Sequence, residues 1–575
     1  MSDQPASIPP APWPKYTIVW TVFVVVVIAL LHWQLGFLNE QFGMDPAIPW
    51  LATLALTFLT LMIWAVWATF FRKSLLLGMV FMSIPAIFLT LFYPDFGGNA
   101  NFTTWRPRFW EWRSTDFAEA EGTAGVPEVV KTTPYDFPQF LGAERDVRVQ
   151  NVELAEDWAN GPEVLWKVDI GNGWSGFSVV GGMAVTQEQR GGEECVSCYD
   201  VTTGDLIWIY RVNRRHEDAM AMGKAGPRAT PTIHDNRVYA TSATGVLDCL
   251  NLSDGSLVWS KDVPQLVGIQ RNDSTNSLGL TYSVENSALL WGRSCSPLIV
   301  DEKVIVTAGG PKTIEGDDNP TATLIAFDRK TGDEIWRGGQ RQIAYGSPNL
   351  VTINGTKMIT LIAQDHSVGH DPDSGVELWA HKRPGTSDQD ANCSQVTTVG
   401  GNRLLLTKGY GLGGEIIAIE QDDEGSWTAR SMTKDPRILR TKLTNPVVID
   451  GHAYSLTDGF LECVQLDEDK FKRKWRQRAR FGDGQILAVG DKLLIHSEDG
   501  ELFLVEVNPE KYVQLGKLKT VDGFCWNTIG FFGDLVLVRS DLEALCYRLP
   551  TEGEPIPLES LAPQIESKDV TATNE

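Results

Sequence analysis

Four stretches of this chain repeat one pattern, 200 DVTTGDLIW, 251 NLSDGSLVW, 328 DRKTGDEIW and 371 DPDSGVELW: an Asp or Asn, a turn ending in Gly, and a Trp four residues beyond the Gly. Self-similarity of this kind restricts a long chain to stacked or ring-like architectures, because each unit buries its apolar face only against a neighbour. Looser copies lie at 420 EQDDEGSW and 467 DEDKFKRKW, 506 EVNPEKYVQL has lost the Trp, and 164 VLWKVDI stands alone ahead of the first complete unit.

Before most of these turns run two alternating apolar strands with a hairpin signal between them, as in 231 PTIHDNRVYATSATGVLDCLNL, 446 PVVIDGHAYSLTDGFLECVQL and 486 ILAVGDKLLIHSEDGELFLVEV. Period-two alternation broken by Asp-Gly or Thr-Gly predicts antiparallel strands joined by short turns. Four strands per unit of about 40 to 50 residues make the blade of a β-propeller. Outermost strands at Trp166, Trp208, Trp259, Trp336, Trp379, Trp427, Trp475 and near Leu515 count eight blades. The strand at Trp166 has no strands before it, and the last unit, 525 CWNTIGFFGDLVLVRSDLEALCYRL, has no outer one. The two are expected to complete one blade and close the ring, which removes open edges.

The cysteines follow the same register. Cys198, Cys249, Cys463 and Cys546 share a position in the third strands, where other units carry Ala326, Gly369, Ala418 or Val505. Cys295, Cys393 and Cys525 share a second position at the start of the innermost strands. Both sets read as small, buried, un-ionised side chains. The 195 CVSC spacing is therefore taken as structure rather than as half a zinc or redox site.

These repeats, together with the motif 137 FPQFLGAERD, resemble the pyrroloquinoline-quinone-like eight-bladed β-propeller repeat family, over about Phe137 to Leu549. The resemblance implies that the Trp of one blade packs on the turn of the next. It also implies two functions, since the fold hosts both quinoprotein dehydrogenases and non-catalytic scaffolds that bind partner proteins. The adjacent Cys-Cys of soluble alcohol dehydrogenases in the family is not found, and no Glu, Asn and Asp shell for calcium falls on a recognisable motif. Pyrroloquinoline quinone and calcium are thus implied by the family without recognisable ligands here.

Ahead of the repeats the material changes. Residues up to Tyr93 carry three basic groups, Lys15, Arg72 and Lys73, against three acidic ones, Asp3, Glu40 and Asp45, so the net charge of −23 belongs entirely to the chain beyond Tyr93. Three apolar stretches at about 18–35, 47–71 and 74–93 approach the ~20 residues that a helix needs to cross a bilayer. They predict three transmembrane α-helices preceding an all-β propeller. Lys15 and Arg72-Lys73 orient the propeller outward, to the periplasm or another exoplasmic space, in an integral protein of a bacterial-type inner membrane. The implied domains are a membrane anchor over 1–93, a juxtamembrane segment and linker over 94–136, the propeller over 137–549 and a disordered tail over 550–575.

A net charge of −23 excludes nucleic acid as a general partner, because phosphate binding needs a positive surface. The informative charges are a minority of basic groups. Loops leading into the innermost strands are long at 211 RVNRRHEDAMAMGKAGP and 261 KDVPQLVGIQRNDSTNSLGLTYSVENSALLWG, and Arg214, Arg215, His216, Arg228 and Arg293 lie there. Irregular insertions on one sector of a rigid ring are a common site of binding, and guanidinium forks suit carboxylates or phosphates. Pairing with Glu217, Asp218 and Glu285 is the competing structural role. Trp174, Arg228, Arg293, Tyr345, Asn392, Asp483 and Trp526, just ahead of the inner strands, are expected to ring the channel mouth. There Trp174 or Trp526 is the place for a stacking floor. His366 and His370 have the spacing of a helical metal pair but fall on a hairpin and a strand end, which gives no metal site. The sequence thus reads as a membrane-anchored, outward-facing propeller that binds a protein or anionic envelope ligand, with no assigned catalytic residue. The competing reading is a quinone-dependent dehydrogenase of alcohols or sugars that donates electrons to the membrane quinone pool.

Overall fold

The computed structural model describes residues 15–33, 47–70, 74–96, 102–107 and 129–566, the last range apart from 159–160, 217–224, 276–280, 286–288, 290, 313–318, 386–390, 468 and 564. The chain divides into two compact units, Met1–Asp116 and Phe117–Glu575.

In the second unit the Asp that opens three of the four clear repeats builds its own turn. Asp200 Oδ1 accepts from the Thr202 amide at 2.7 Å and the Thr202 hydroxyl at 2.6 Å, and Gly204 then takes φ +77°. Asp328 and Asp371 hold their turns through the same Asx geometry. Each turn sends the chain back as the outer strand of a four-stranded antiparallel blade, and eight blades follow in order, one of them joined by a short fifth strand, Arg148–Val149. Blade 1 runs from Ser178 to Asn213, blade 2 from Thr232 to Asp262, blade 3 from Leu298 to Gly338 and blade 4 from Asn349 to Lys382. Blade 5 runs from Thr397 to Asp435, blade 6 from Val447 to Arg480 and blade 7 from Gln485 to Lys519. Blade 8 takes three strands from Gly530–Arg548 and its outer strand from Glu163–Asp169, with Cys546 opposite Trp166, so the ring closes as the sequence predicts.

The core lies between blades, and the tryptophans make much of it. Trp166, Trp208, Trp259 and Trp336 donate their indole N–H to Val201, Leu252, Arg329 and Pro372, each a carbonyl in the turn of the next blade, at 2.7 to 3.2 Å. A Cβ on the turn glycines Gly204, Gly255, Gly332 or Gly375 would fall within 2.3–2.7 Å of those indoles. The glycine is therefore required twice, for its positive φ and for the ring lying on it. Burying an indole in such a contact is worth about 2–3 kcal/mol. The third-strand position is small because it faces the same Trp: Cys198 opposes Trp208, Cys249 opposes Trp259, and a Cβ on Gly369 would sit 2.2 Å from the Trp379 indole. All eight cysteines are free, and burial pushes Cys195 and Cys249 up to about 12.

Two repeat assignments shift in register, and a third Trp keeps its register but changes its acceptor. Trp427 opposes Gln421 at the very start of its strand while Ala418 faces Arg430, so blade 5 lacks the repeat contact. Trp379 donates within its own blade, to Met358 Sδ. In blade 7 the bulge falls one residue earlier than expected, so Leu504, not Val505, takes the small-residue position and faces Gly516. The buried Trp158, from the segment ahead of the ring, lies against Gly516 in place of the lost Trp.

The tail after Leu549, expected to be disordered, is partly built. Leu558–Leu561 forms a turn of helix with Leu561 fully buried, and Ile565–Glu566 pairs with Val129–Val130. Residues beyond 566 lie outside the described set.

The first unit corrects the expectation of three transmembrane helices. Its helices are Lys15–Trp33, Ala47–Phe70 and Leu75–Leu91. Among the described residues no helix is long and apolar enough to cross a membrane. Anchoring in a lipid bilayer through three helices, and with it the assignment as an integral inner-membrane protein, is therefore withdrawn. These helices bond to one another instead: Trp20 donates to Thr60 at 3.2 Å and Trp64 to Thr21 at 3.0 Å. The third helix stops at Leu91, and Phe92–Phe96 pairs with Phe102–Pro107 as a hairpin where an irregular juxtamembrane segment is expected.

Candidate functional site

The residues just ahead of the inner strands are those expected at the channel mouth. Trp174 and Trp526 meet there with ring centroids 4.3 Å apart, and Phe524 lies 6.0 Å from Trp526. All three are buried. The Trp526 indole N–H donates to Glu498 at 2.9 Å, while Asn527 ties down the carbonyls of Gly173 and Ser175 at 3.1 and 2.8 Å. Gln485 does the same for Leu443 and Trp526. This half of the mouth is a packed aromatic cap fastened by side-chain amides.

The polar part of the mouth carries Asn392, Asp483 and Glu498. Asn392 is fully buried, and neither its amide oxygen nor its nitrogen has a hydrogen-bond partner among the described residues. The buried Asp483 also has one oxygen without a partner there. Burial, and then the nearby Asp483 charge, push Glu498 up to about 7. Groups left in this state inside a channel call for water or a polar ligand.

The basic residues are distributed over separate acceptors. Arg214 pairs with Asp248 at 2.9 Å, and Arg215 donates to the Gly191 carbonyl at 2.7 Å. The buried His216 ring packs on Gly292. Arg228 donates to Gly226 at 2.6 Å, and the buried Arg293 to the Ala308 carbonyl at 2.7 Å, its stem lying over Gly245. Tyr345 is buried, and its hydroxyl accepts from the Trp291 amide at 3.3 Å. Of the competing acidic partners, Glu217 and Asp218 lie outside the described residues, as does the side chain of Glu285. The loop between blades 2 and 3, expected to be unstructured, holds a helical turn at Val263–Leu266 and a hairpin of Arg271–Thr275 with Thr281–Glu285.

Sequence reasoning missed Asp248, Glu194 and Glu498. Glu194 accepts from the Ala243 amide at 2.7 Å, and burial pushes it up to about 7. The only signal for these acids was their place next to the second hairpin of a blade, as in 496 HSEDG. His366 and His370 lie along one strand, the first on Asp365 and the second on the Gly375 carbonyl, and burial lowers His370.

Among the described residues no preformed set of groups meets pyrroloquinoline quinone or calcium. A planar quinone needs an open aromatic face, and the faces that the two indoles turn to each other meet in a tilted contact at 4.3 Å. Among the described residues no three His, Cys, Asp or Glu side chains are grouped to hold a metal.

On the opposite face the 137 FPQFLGAERD motif runs across the axis. Phe137 bridges to Val179 of blade 1, the Ile233 amide of blade 2 donates to Pro138, and Arg148–Val149 pairs in parallel with Ala488–Val489 of blade 7. Arg145, 3% exposed, reaches the carbonyls of Ser296, Pro297 and Pro348 ahead of blades 3 and 4, with no carboxylate partner among the described residues. Burial lowers its pKa to about 10, so it stays charged. A cleft of about 530 Å3 lies beside this motif, lined by Gln139, His234, Glu302 and Arg329 among others.

Comparison with known proteins places these repeats. The family described as outer membrane protein assembly factor BamB matches residues 155–287 and 192–399. The outer membrane protein assembly factor BamB of Yersinia pestis is 20% identical over 374 residues, which is 60% of this chain and 88% of that protein. Among solved structures, a europium-containing methanol dehydrogenase shares the fold at 12% identity and a TM-score of 0.50, covering 72% of this chain and 91% of its own. BamB from Moraxella catarrhalis is also similar, at 12% identity and a TM-score of 0.44, covering 68% of this chain and all of that one. The chain is thus a propeller similar to both the assembly factor and the quinoprotein dehydrogenases, as its repeats predict.

Proposed function

From the likeness to the assembly-factor propeller family, we propose that this chain is a binding or scaffold module that holds protein partners on its propeller and is associated with the cell envelope. The observation that carries the reading is the state of the channel mouth. Trp174 and Trp526 are packed against each other in a tilted contact and Trp526 is bonded to Glu498, which supports a built rim. The rim is flanked by the long loops of blades 1 to 3, where Arg215 donates to the Gly191 carbonyl and Arg228 to that of Gly226, and guanidinium groups of this kind suit an acidic partner.

The test is capture of partners from envelope extract on the full chain, with the captured proteins identified by mass spectrometry. Replacing Arg215 and Arg228 by Ala is expected to abolish capture, and unchanged capture rejects this sector. A rise in thermal midpoint on adding pyrroloquinoline quinone with calcium, together with dye reduction by an alcohol or a sugar, overturns the scaffold reading, because a ligand that binds only the native state must raise its stability.

A further inference from the structure

The outer strand of blade 6, Phe471–Arg480, is the longest outer strand of the ring at 10 residues, and it carries Lys472, Arg473, Lys474, Arg476, Arg478 and Arg480 without an acidic residue. One side of it pairs with Phe460–Leu466. No other described strand pairs with its second side, so the backbone groups of that edge face outward. Arg473 holds the buried Glu462 at 2.7 Å and Lys474 holds Glu510 at 2.7 Å. Arg476 lies over the Phe460 ring at 4.5 Å, and its Nε has no hydrogen-bond partner among the described residues. Burial and then the neighbouring charges of Arg473 and Arg440 lower its pKa despite the attraction of Glu462. Lys472 and Arg478 are exposed and make no ion pair among the described residues.

Charged edge strands usually prevent unwanted pairing, and one or two lysines suffice for that. Six cations in ten residues, on a chain of net charge −23, go well beyond this and repel one another. An anion would relieve that repulsion, and an extended one would also meet the open backbone edge.

We propose that the outer edge of blade 6 is a docking surface for an extended acidic polypeptide segment of a partner protein. Main-chain hydrogen bonds add the segment as a further strand, and its carboxylates meet the guanidinium forks of Arg476 and Arg478 and the ammonium of Lys472. A nucleic acid offers no strand edge and is repelled by the chain as a whole. The surface lies apart from the mouth sector, and it rests on the scaffold reading only in taking a protein as partner.

The assay is fluorescence anisotropy of the full chain with a labelled peptide of about ten residues that alternates Glu and Thr. Combining Lys472→Glu with Arg478→Glu is expected to weaken binding about tenfold or more, whereas Lys472→Arg with Arg478→Lys preserves it. Methylating alternate backbone nitrogens of the peptide is expected to weaken it too. Parent-like affinity in the charge-reversed protein overturns the site, as does tighter binding of a single-stranded oligonucleotide or an anionic lipid vesicle. Equal binding of the methylated peptide overturns the added strand. Arg215→Ala keeps peptide binding, so failure at the mouth sector and failure at this edge read out separately.

Discussion

Ionising Glu498 is opposed by its burial and by Asp483, and only partly favoured by the Trp526 indole N–H at 2.9 Å. With a folded pKa of about 7 against a usual 4.5, the native protein retains a proton that the unfolded chain releases between those values. The stability this contributes is complete below about pH 4.5 and is lost as pH rises through about 7. Glu194 acts in the same sense. His496 acts in the opposite one: burial lowers it to about 3, so its contribution falls as pH drops below 6.5. The expected result is therefore differential. Glu498→Gln flattens the decline of the thermal midpoint between about pH 5 and pH 8 relative to the parent, and an unchanged slope shows that Glu498 is already ionised at low pH. At this scale the sequence is legible where partners are near in the chain. The Asp, Gly and Trp of one turn are read together, whereas Arg214 and Asp248 belong to neighbouring blades and carry no local signal of their pairing.

Two buried guanidinium groups fasten segments rather than ligands. Arg145 joins the motif crossing the axis to the segments ahead of blades 3 and 4. Arg539 holds Gly171, Gly173 and Gln187, and so fixes the approach to blade 1 from within blade 8. A charged donor bonded to several carbonyls is strong, and its removal leaves each carbonyl buried without a partner. Arg145→Ala is expected to lower unfolding stability by at least about 3 kcal/mol in a urea titration, with Arg145→Lys recovering only part. A loss below about 0.5 kcal/mol would mean that water serves those carbonyls instead. The motif itself was conspicuous in the sequence, but its path across the axis depends on contacts more than 150 residues apart, which no local pattern encodes.

Across the whole ring, the tryptophan contacts run unbroken from blade 8 through blades 1, 2 and 3 to blade 4 and resume between blades 6 and 7. Blade 5 sits in the gap: Trp379 turns back to Met358, and Trp427 is displaced to the start of its strand. Hydrogen exchange is expected to be fastest in the outer strand Trp427–Asp435 and slowest in blades 1 to 3, since regions with fewer docking contacts open first. Uniform protection would show that the gap is bridged by other packing. The number of blades and their order were legible because each unit repeats its own turn chemistry. The three membrane spans were not, because a hydropathy pattern alone does not fix how far each helix runs: the third ends at Leu91 and turns into a hairpin.

Closing the ring with Glu163–Asp169 against Glu543–Arg548 also sets a schedule for synthesis. The ribosome makes the first of these strands about 380 residues before the second, a delay of roughly 20 to 80 s at ordinary elongation rates. Through that interval every nascent chain presents Glu163–Asp169 as an unpaired ribbon, and a neighbouring chain on the same messenger is the nearest competitor for it.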